Sequence, residues 1–130
     1  MYYKPDGSLD TKWVDSEALA VARKLALKDP DDKPDLTGSQ LRKFYADMKN
    51  LERIWKNQQC DETVFRSLLP QVKILKAKTI YAQKRKAVPH RFTVWLNKHV
   101  DAVSTPKDFE AFLLHFEAVV GFCYGEGLKD

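Results

Sequence analysis

Apolar residues along the chain recur at spacings of three and four, and the alternation typical of β-strands is essentially absent. This periodicity predicts amphipathic α-helices. The first helix is expected to begin at about Asp15, an N-cap residue, and to end at about Lys28, because Asp29-Pro30 disfavours further helix. Its buried positions are predicted to be Leu19, Ala22, Leu25 and Ala26.

The second helix has the clearest start signal in the sequence. Thr37 and Gln40 have the spacing of a capping box, in which each side chain satisfies a free backbone N–H of the first turn. Leu36 and Leu41 flank this cap at the spacing of a hydrophobic staple. The helix is predicted to run to about Asn57.

A third helical region is predicted from about Asp61, and Pro70 interrupts it. Because proline disrupts the interior of a helix, we expect two pieces, at about 61–69 and 71–87. A fourth helix is expected at about 89–102, with a proline in its first turn, where proline is tolerated.

The fifth helix opens with Thr105 as its N-cap, Pro106 at its first position and Asp108 at its third. It is apolar over much of its circumference, which predicts a central place in the core or in a subunit contact. Five or six helices without a sheet indicate an all-α fold, a compact helical bundle. We expect an irregular N-terminal arm at 1–14 and a single helical-bundle domain at 15–130.

The composition supports one soluble domain. The chain has 130 residues, of which 31% are charged and 44% apolar, ordinary values for a globular protein. No apolar run approaches the roughly 20 residues that a membrane span needs, so no membrane association is expected. The two cysteines, Cys60 and Cys123, are predicted to be free thiols in a cytoplasmic protein.

Charge is distributed unevenly along the chain. The formal net charge is +4, yet residues 63–100 contain nine lysines and arginines and no aspartate or glutamate. Residues 101–130 contain two basic and six acidic residues. A long segment without acids is typical of a surface that meets a polyanion, and a solvated face balanced by acidic neighbours is the alternative.

Helical geometry places many of these cations in rows. On the second helix four basic residues fall within an arc of roughly 60°, beside the apolar face: Arg42, Lys49, Arg53 and Lys56. We call this row the α2 stripe, where α2 is this second helix, predicted from its cap at Thr37 to about Asn57. In the next basic segment Lys76 and Lys84 share one side, and Lys78 and Arg85 share another. Such rows suit contact with a phosphate backbone, which is tolerant of base sequence.

Aromatic residues at helical spacing are expected mainly in the core. Stacking on nucleic-acid bases is the open alternative, above all for Tyr45 and Tyr81.

The sequence contains no recognisable catalytic or metal-binding pattern. His90, His99 and His115 lack the i, i+4 spacing of a helical metal pair, and there is no CxxC motif. Glycine-rich phosphate loops and nucleophile elbows are also absent. We therefore predict a protein that is not an enzyme and has no metal or cofactor.

Three segments in order resemble one protein family, the small subunit of the type III-A CRISPR effector (Csm) complex. They are residues 36–45 (LTGSQLRKFY), 74–85 (ILKAKTIYAQKR) and 109–120 (FEAFLLHFEAVV), within a similarity that spans about 15–124. Gly38 stands where the family usually has threonine, and Lys84 stands where it often has glycine.

The resemblance implies a non-catalytic role inside that complex. Its partners would be CRISPR RNA and target RNA, other subunits of the effector complex and additional copies of the chain itself. By motif position, the implied RNA contacts are Arg42, Lys43, Lys76 and Arg85. From their positions on the basic helix surfaces, further RNA contacts are expected at Lys49, Arg53, Lys56, Lys78 and Lys84. An apolar surface for subunit association is expected from Phe112, Phe116 and Val120.

Two other functions remain open from the sequence. A helical DNA-binding regulator would need a short recognition helix after a tight turn, and the α2 stripe is instead about four turns long. A bundle that serves only protein–protein contact would show no salt-dependent affinity for RNA.

Overall fold

The computed structural model describes residues 1–130 and consists of six α-helices preceded by one short 3-10 helix. The only β-pairing is an isolated bridge between Tyr3 and Leu9. The α-helices are α1 (Ser16–Ala26), α2 (Gly38–Asn57), α3 (Glu62–Lys73), α4 (Leu75–Lys84), α5 (His90–Ala102) and α6 (Pro106–Gly125). The predicted all-α bundle of five to six helices is confirmed.

Side-chain caps fix the starts of two long helices. At α2 the Thr37 hydroxyl accepts from the Gln40 backbone N–H at 3.2 Å, but the buried Gln40 Oε1 has no partner. The predicted capping box at α2 is therefore only half formed. The complete box occurs at α6, where Thr105 and Asp108 satisfy each other's backbone N–H groups.

The structure corrects the predicted effect of Pro70. This proline lies inside α3, and the helix breaks four residues later at Ile74, where α4 follows directly. A proline removes one backbone hydrogen bond, here the one to the carbonyl of Arg66. Both residues are exposed, so water can solvate that carbonyl and the helix continues.

Helix α6 occupies the centre of the bundle and packs against α1, α2 and the 3-10 helix. Phe112 and Phe116 on α6 have no exposed surface. Their predicted role in a subunit contact is corrected to a core role, because fully buried rings offer a partner no area. Val120 is half-buried and packs against the same core.

Residues 1–14 pack on that core as well. Tyr2 is fully buried and Trp13, in the 3-10 helix Thr11–Val14, is nearly so. Their rings contact each other edge to face at a centroid distance of 5.4 Å. The segment has little regular structure, yet its aromatic side chains belong to the hydrophobic cluster of the bundle.

Candidate nucleic-acid interface

Two cations of the segment 63–100, which contains no aspartate or glutamate, make structural contacts within the fold. The Arg91 side chain is 7% exposed and donates to the carbonyls of Lys24 and Leu27, at 3.0 and 2.5 Å, and to the Asp32 carboxylate at 3.2 Å. Lys73 Nζ donates to two carbonyls at the end of α5. These contacts satisfy the free carbonyls at helix C-termini, as basic side chains commonly do.

Asp32 completes this structural anchor. Its carboxylate accepts from the backbone N–H groups of His90 and Arg91, at 2.7 and 2.9 Å, at the start of α5. Burial alone would raise the pKa of Asp32, but these hydrogen bonds and the Arg91 guanidinium hold the pKa below its ordinary value. The loop between α1 and α2 is thereby fixed to α5.

Cations of two helices come together in a hollow between α2 and α4, which we call the α2–α4 groove. Its volume is about 350 Å³. Seven residues line it: Lys43, Phe44, Asp47, Lys78, Tyr81, Ala82 and Arg85. Lys43 and Asp47 are one turn apart on α2, and Lys78 and Arg85 are two turns apart on α4, so each pair shares a helix face.

The α2–α4 groove carries a positive charge. Three cations and one carboxylate leave a net charge of +2 among its lining residues. Lys78 Nζ lies 3.8 Å from Asp47 Oδ2, at the limit of an ion pair, whereas Lys43 and Arg85 have no carboxylate within 4.0 Å. The Arg85 guanidinium carbon instead lies 5.6 Å from the centre of the Tyr81 ring.

Two carboxylates of the same chain neutralise half of the charge of the α2 stripe. Glu52 contacts both Lys49, at 2.5 Å, and Lys56, at 3.5 Å. The hydrogen bond that Lys49 donates to Glu52 is the main reason that the pKa of Lys49 is raised. Arg42 pairs with Asp130 at 3.1 Å. Arg53 has no carboxylate partner and donates to the Asn50 side chain at 2.7 Å.

The two remaining predicted contacts lie elsewhere. Lys76 pairs with Asp101 at 2.5 Å, on the α5 side of α4. Lys84 lies in a second hollow between α4 and α5, about 700 Å³ in volume, together with Lys33, Lys86 and His90. No carboxylate lies within 4.0 Å of Lys84.

The predicted RNA contacts therefore do not all lie on one surface of the protein. Five of the nine lie within 4.0 Å of a carboxylate of the same chain, namely Arg42, Lys49, Lys56, Lys76 and Lys78. Among the predicted contacts, only Lys43, Lys78 and Arg85 come together from two helices, in the α2–α4 groove. Lys33 and Lys86 also line the second hollow. Neither was among the predicted contacts, although Lys86 follows Lys84 and Arg85 directly in the sequence.

The buried titratable groups are suited to structural roles. The rings of His99 and His115 stack with centroids 4.4 Å apart. Burial lowers the pKa of both, in the case of His99 to about 3. Burial also raises the pKa of Cys123 to about 12, which keeps its thiol protonated. No group of three or more metal-ligating side chains is present.

Fold and surface together define the class of the protein: a small all-α bundle whose notable chemical feature is a cationic groove. A family model described as Csm2 Type III-A matches residues 11–125, and the chain belongs to this family of structural small subunits in type III-A CRISPR effector complexes. No curated protein and no solved structure matches the chain. None of its helices has both the length and the apolar character to cross a membrane.

Proposed function

We propose that the protein is a non-catalytic RNA-binding subunit that lines the channel in which guide RNA and target RNA pair. It would contact the sugar–phosphate backbone, beside other subunits of the effector complex and further copies of itself, in cytoplasmic antiviral defence. The observation that carries the proposal is the convergence of Lys43, Lys78 and Arg85 in the α2–α4 groove around a single carboxylate.

The chemistry of these side chains suits phosphate. A guanidinium such as that of Arg85 can bind a phosphate through two parallel hydrogen bonds, whereas the ammonium groups of Lys43 and Lys78 act as point charges. None of these contacts depends on the identity of a base, so the expected binding tolerates any guide sequence. This tolerance suits a subunit that serves many different guides.

Cations that lack a carboxylate partner should contribute most to binding. Lys43, Arg53, Lys84 and Arg85 have no carboxylate within 4.0 Å, so a phosphate neutralises them without displacing another anion. The paired cations retain a neighbouring carboxylate that repels the phosphate. The proposal therefore ranks Lys43 and Arg85 above Lys49 and Lys56 of the α2 stripe.

The test is a titration of fluorescently labelled single-stranded RNA with the purified chain over a series of salt concentrations. Each phosphate contact contributes a slope of roughly −0.7 in log K against log salt, so three groove cations predict about −2. The double substitution Lys43→Ala/Arg85→Ala should reduce the magnitude of the slope by about 1.4, because it removes two phosphate contacts. Circular dichroism should show unchanged helicity.

A matched control removes the same charge elsewhere. Lys4 and Lys28 are exposed, form no ion pair and lie outside the groove. The variant Lys4→Ala/Lys28→Ala should retain most of the slope of the unmodified chain. A slope near zero for the unmodified chain would support a bundle that contacts only proteins. If both double variants lose the same part of the slope, the groove contributes no more to RNA binding than other exposed cations do.

A further inference from the structure

Tyr81 is the most exposed aromatic residue of the protein. It is 68% exposed, whereas Phe44, which also lines the α2–α4 groove, is 3% exposed. An aromatic ring left in water forfeits the burial energy that normally draws such residues into a core. The exposed ring is therefore available to a ligand.

The surroundings of Tyr81 indicate the kind of ligand. Arg85 lies over the ring at 5.6 Å, and Lys43 and Lys78 line the same groove. A volume of about 350 Å³ lies within the range of roughly 300–1,000 Å³ typical of small-ligand sites. An aromatic platform beside several cations is the arrangement by which proteins hold single-stranded nucleic acid, with the base on the ring and the phosphates on the cations.

We propose that the α2–α4 groove receives one unpaired RNA nucleotide, whose base stacks on Tyr81 while Lys43 and Lys78 contact its flanking phosphates. A base inside a continuous duplex has both faces covered by its neighbours and cannot reach the ring. The groove thus distinguishes unpaired from paired RNA, which backbone contact alone does not. This inference rests on the proposed function, because it takes the polyanion to be RNA.

The experiment compares three labelled RNA probes at low salt: oligouridine, an abasic ribose–phosphate strand of the same length, and an RNA duplex. Stacking on one aromatic ring contributes roughly 1–3 kcal/mol per base, which corresponds to a change in Kd of about fivefold or more. Tyr81→Ala should weaken oligouridine binding by at least about fivefold. Tyr81→Phe retains the ring and should stay within about twofold of the unmodified chain.

The other probes and one further variant supply the controls. Binding of the abasic strand and of the duplex should be nearly unaffected by Tyr81→Ala, because neither presents a free base to the ring. Ile80 is 56% exposed on the same helix but lies outside the groove, so Ile80→Ala should leave all three affinities unchanged.

The outcomes separate the inference from the proposed function. If oligouridine binds with the expected salt dependence but Tyr81→Ala has no effect, or weakens all three probes equally, stacking on Tyr81 is excluded while backbone binding stands. If no probe binds even at low salt, both proposals fail.

Discussion

Mild acid should destabilise this fold through a buried pair of histidines. His99 and His115 stack at the junction of α5, α6 and the N-terminal segment. The Tyr2 hydroxyl lies 2.6 Å from His99 Nδ1. His115 Nδ1 lies 2.5 Å from the Trp13 carbonyl, and its Nε2 accepts from Trp95 Nε1–H at 3.1 Å. With one nitrogen donating and one accepting, His115 must be neutral.

The pKa values determine the sign and the size of the effect. Burial, reinforced by the neighbouring His115 and Lys98, lowers the pKa of His99 from 6.5 to about 3. The unfolded chain therefore takes up a proton below about pH 6.5 that the folded chain refuses until about pH 3. The stability supplied by neutral His99 is complete above pH 6.5 and is lost as the pH falls below it. At about pH 5 the linkage relation gives a loss of about 2 kcal/mol.

His115 should add to this loss. Burial lowers its pKa as well, although the Trp13 carbonyl opposes the shift. A loss of about 2 kcal/mol or more is a large part of the roughly 5–15 kcal/mol by which a small domain is stable. Because Tyr2 and Trp13 bond directly to this pair, we expect the N-terminal segment to open first.

Urea unfolding followed by tryptophan fluorescence, at about pH 7.5 and about pH 5, measures the effect as a change in unfolding free energy. The double variant Tyr2→Phe/His99→Phe removes both hydrogen-bonding partners together and retains the aromatic packing. Between these two pH values its unfolding free energy should fall by a smaller amount than that of the unmodified chain, and the difference should be at least about 2 kcal/mol. His90→Gln, which changes an exposed histidine outside the cluster, should show the full loss. Equal losses in the unmodified chain and the double variant would refute the reasoning.

Two further substitutions test local features of the fold by the same urea assay. Arg91→Lys should destabilise the protein by about 2 kcal/mol, because a single ammonium cannot reproduce the guanidinium's hydrogen bonds to the Lys24 and Leu27 carbonyls and to Asp32; an effect below about 1 kcal/mol would contradict an anchoring role. Lys86 has a left-handed backbone with φ of 64°, so Lys86→Gly should stabilise by about 0.5–1 kcal/mol. Lys84→Gly, at the last residue of α4, removes the same charge and should instead destabilise, by up to about 0.5 kcal/mol.

Capping residues and prolines close in sequence were sufficient to predict most helix boundaries. The start of α6 follows directly from Thr105, Pro106 and Asp108, because a cap is made by residues close in sequence. The misplaced break at Pro70 has a different origin. The cost of an interior proline depends on whether the carbonyl that it leaves free can reach water, and this is a property of the folded surface.

The candidate site could be predicted only in part, because its electrostatics depend on distant residues. A helical projection correctly separates Lys78 and Arg85 from Lys76 on α4, but it contains no information about neighbouring helices. Lys76 meets Asp101 across 25 positions, and Arg42 meets Asp130 across 88. No pattern within one helix predicts these pairs.

The buried guanidinium of Arg91 shows the same limit. In the sequence it is one more cation in an acid-free segment, close to Lys84 and Lys86. In the fold it joins the C-terminus of α1 to the loop at Asp32. A count of charges in the sequence cannot distinguish a cation that is exposed to a ligand from one that donates hydrogen bonds to buried carbonyls.

The positions of carboxylates, rather than the number of cations, should decide where an RNA backbone lies on this protein. The Glu52 side chain is only 12% exposed, so moving Lys49 to a phosphate leaves a largely buried carboxylate with Lys56 as its remaining ion-pair partner. Glu52 then remains nearby, and its repulsion of the phosphate offsets much of the gain. At Lys43 and Arg85 no such carboxylate remains, and the only acid of the α2–α4 groove already lies beside Lys78. The α2 stripe has four cations and the groove three, yet the groove should supply more of the binding energy.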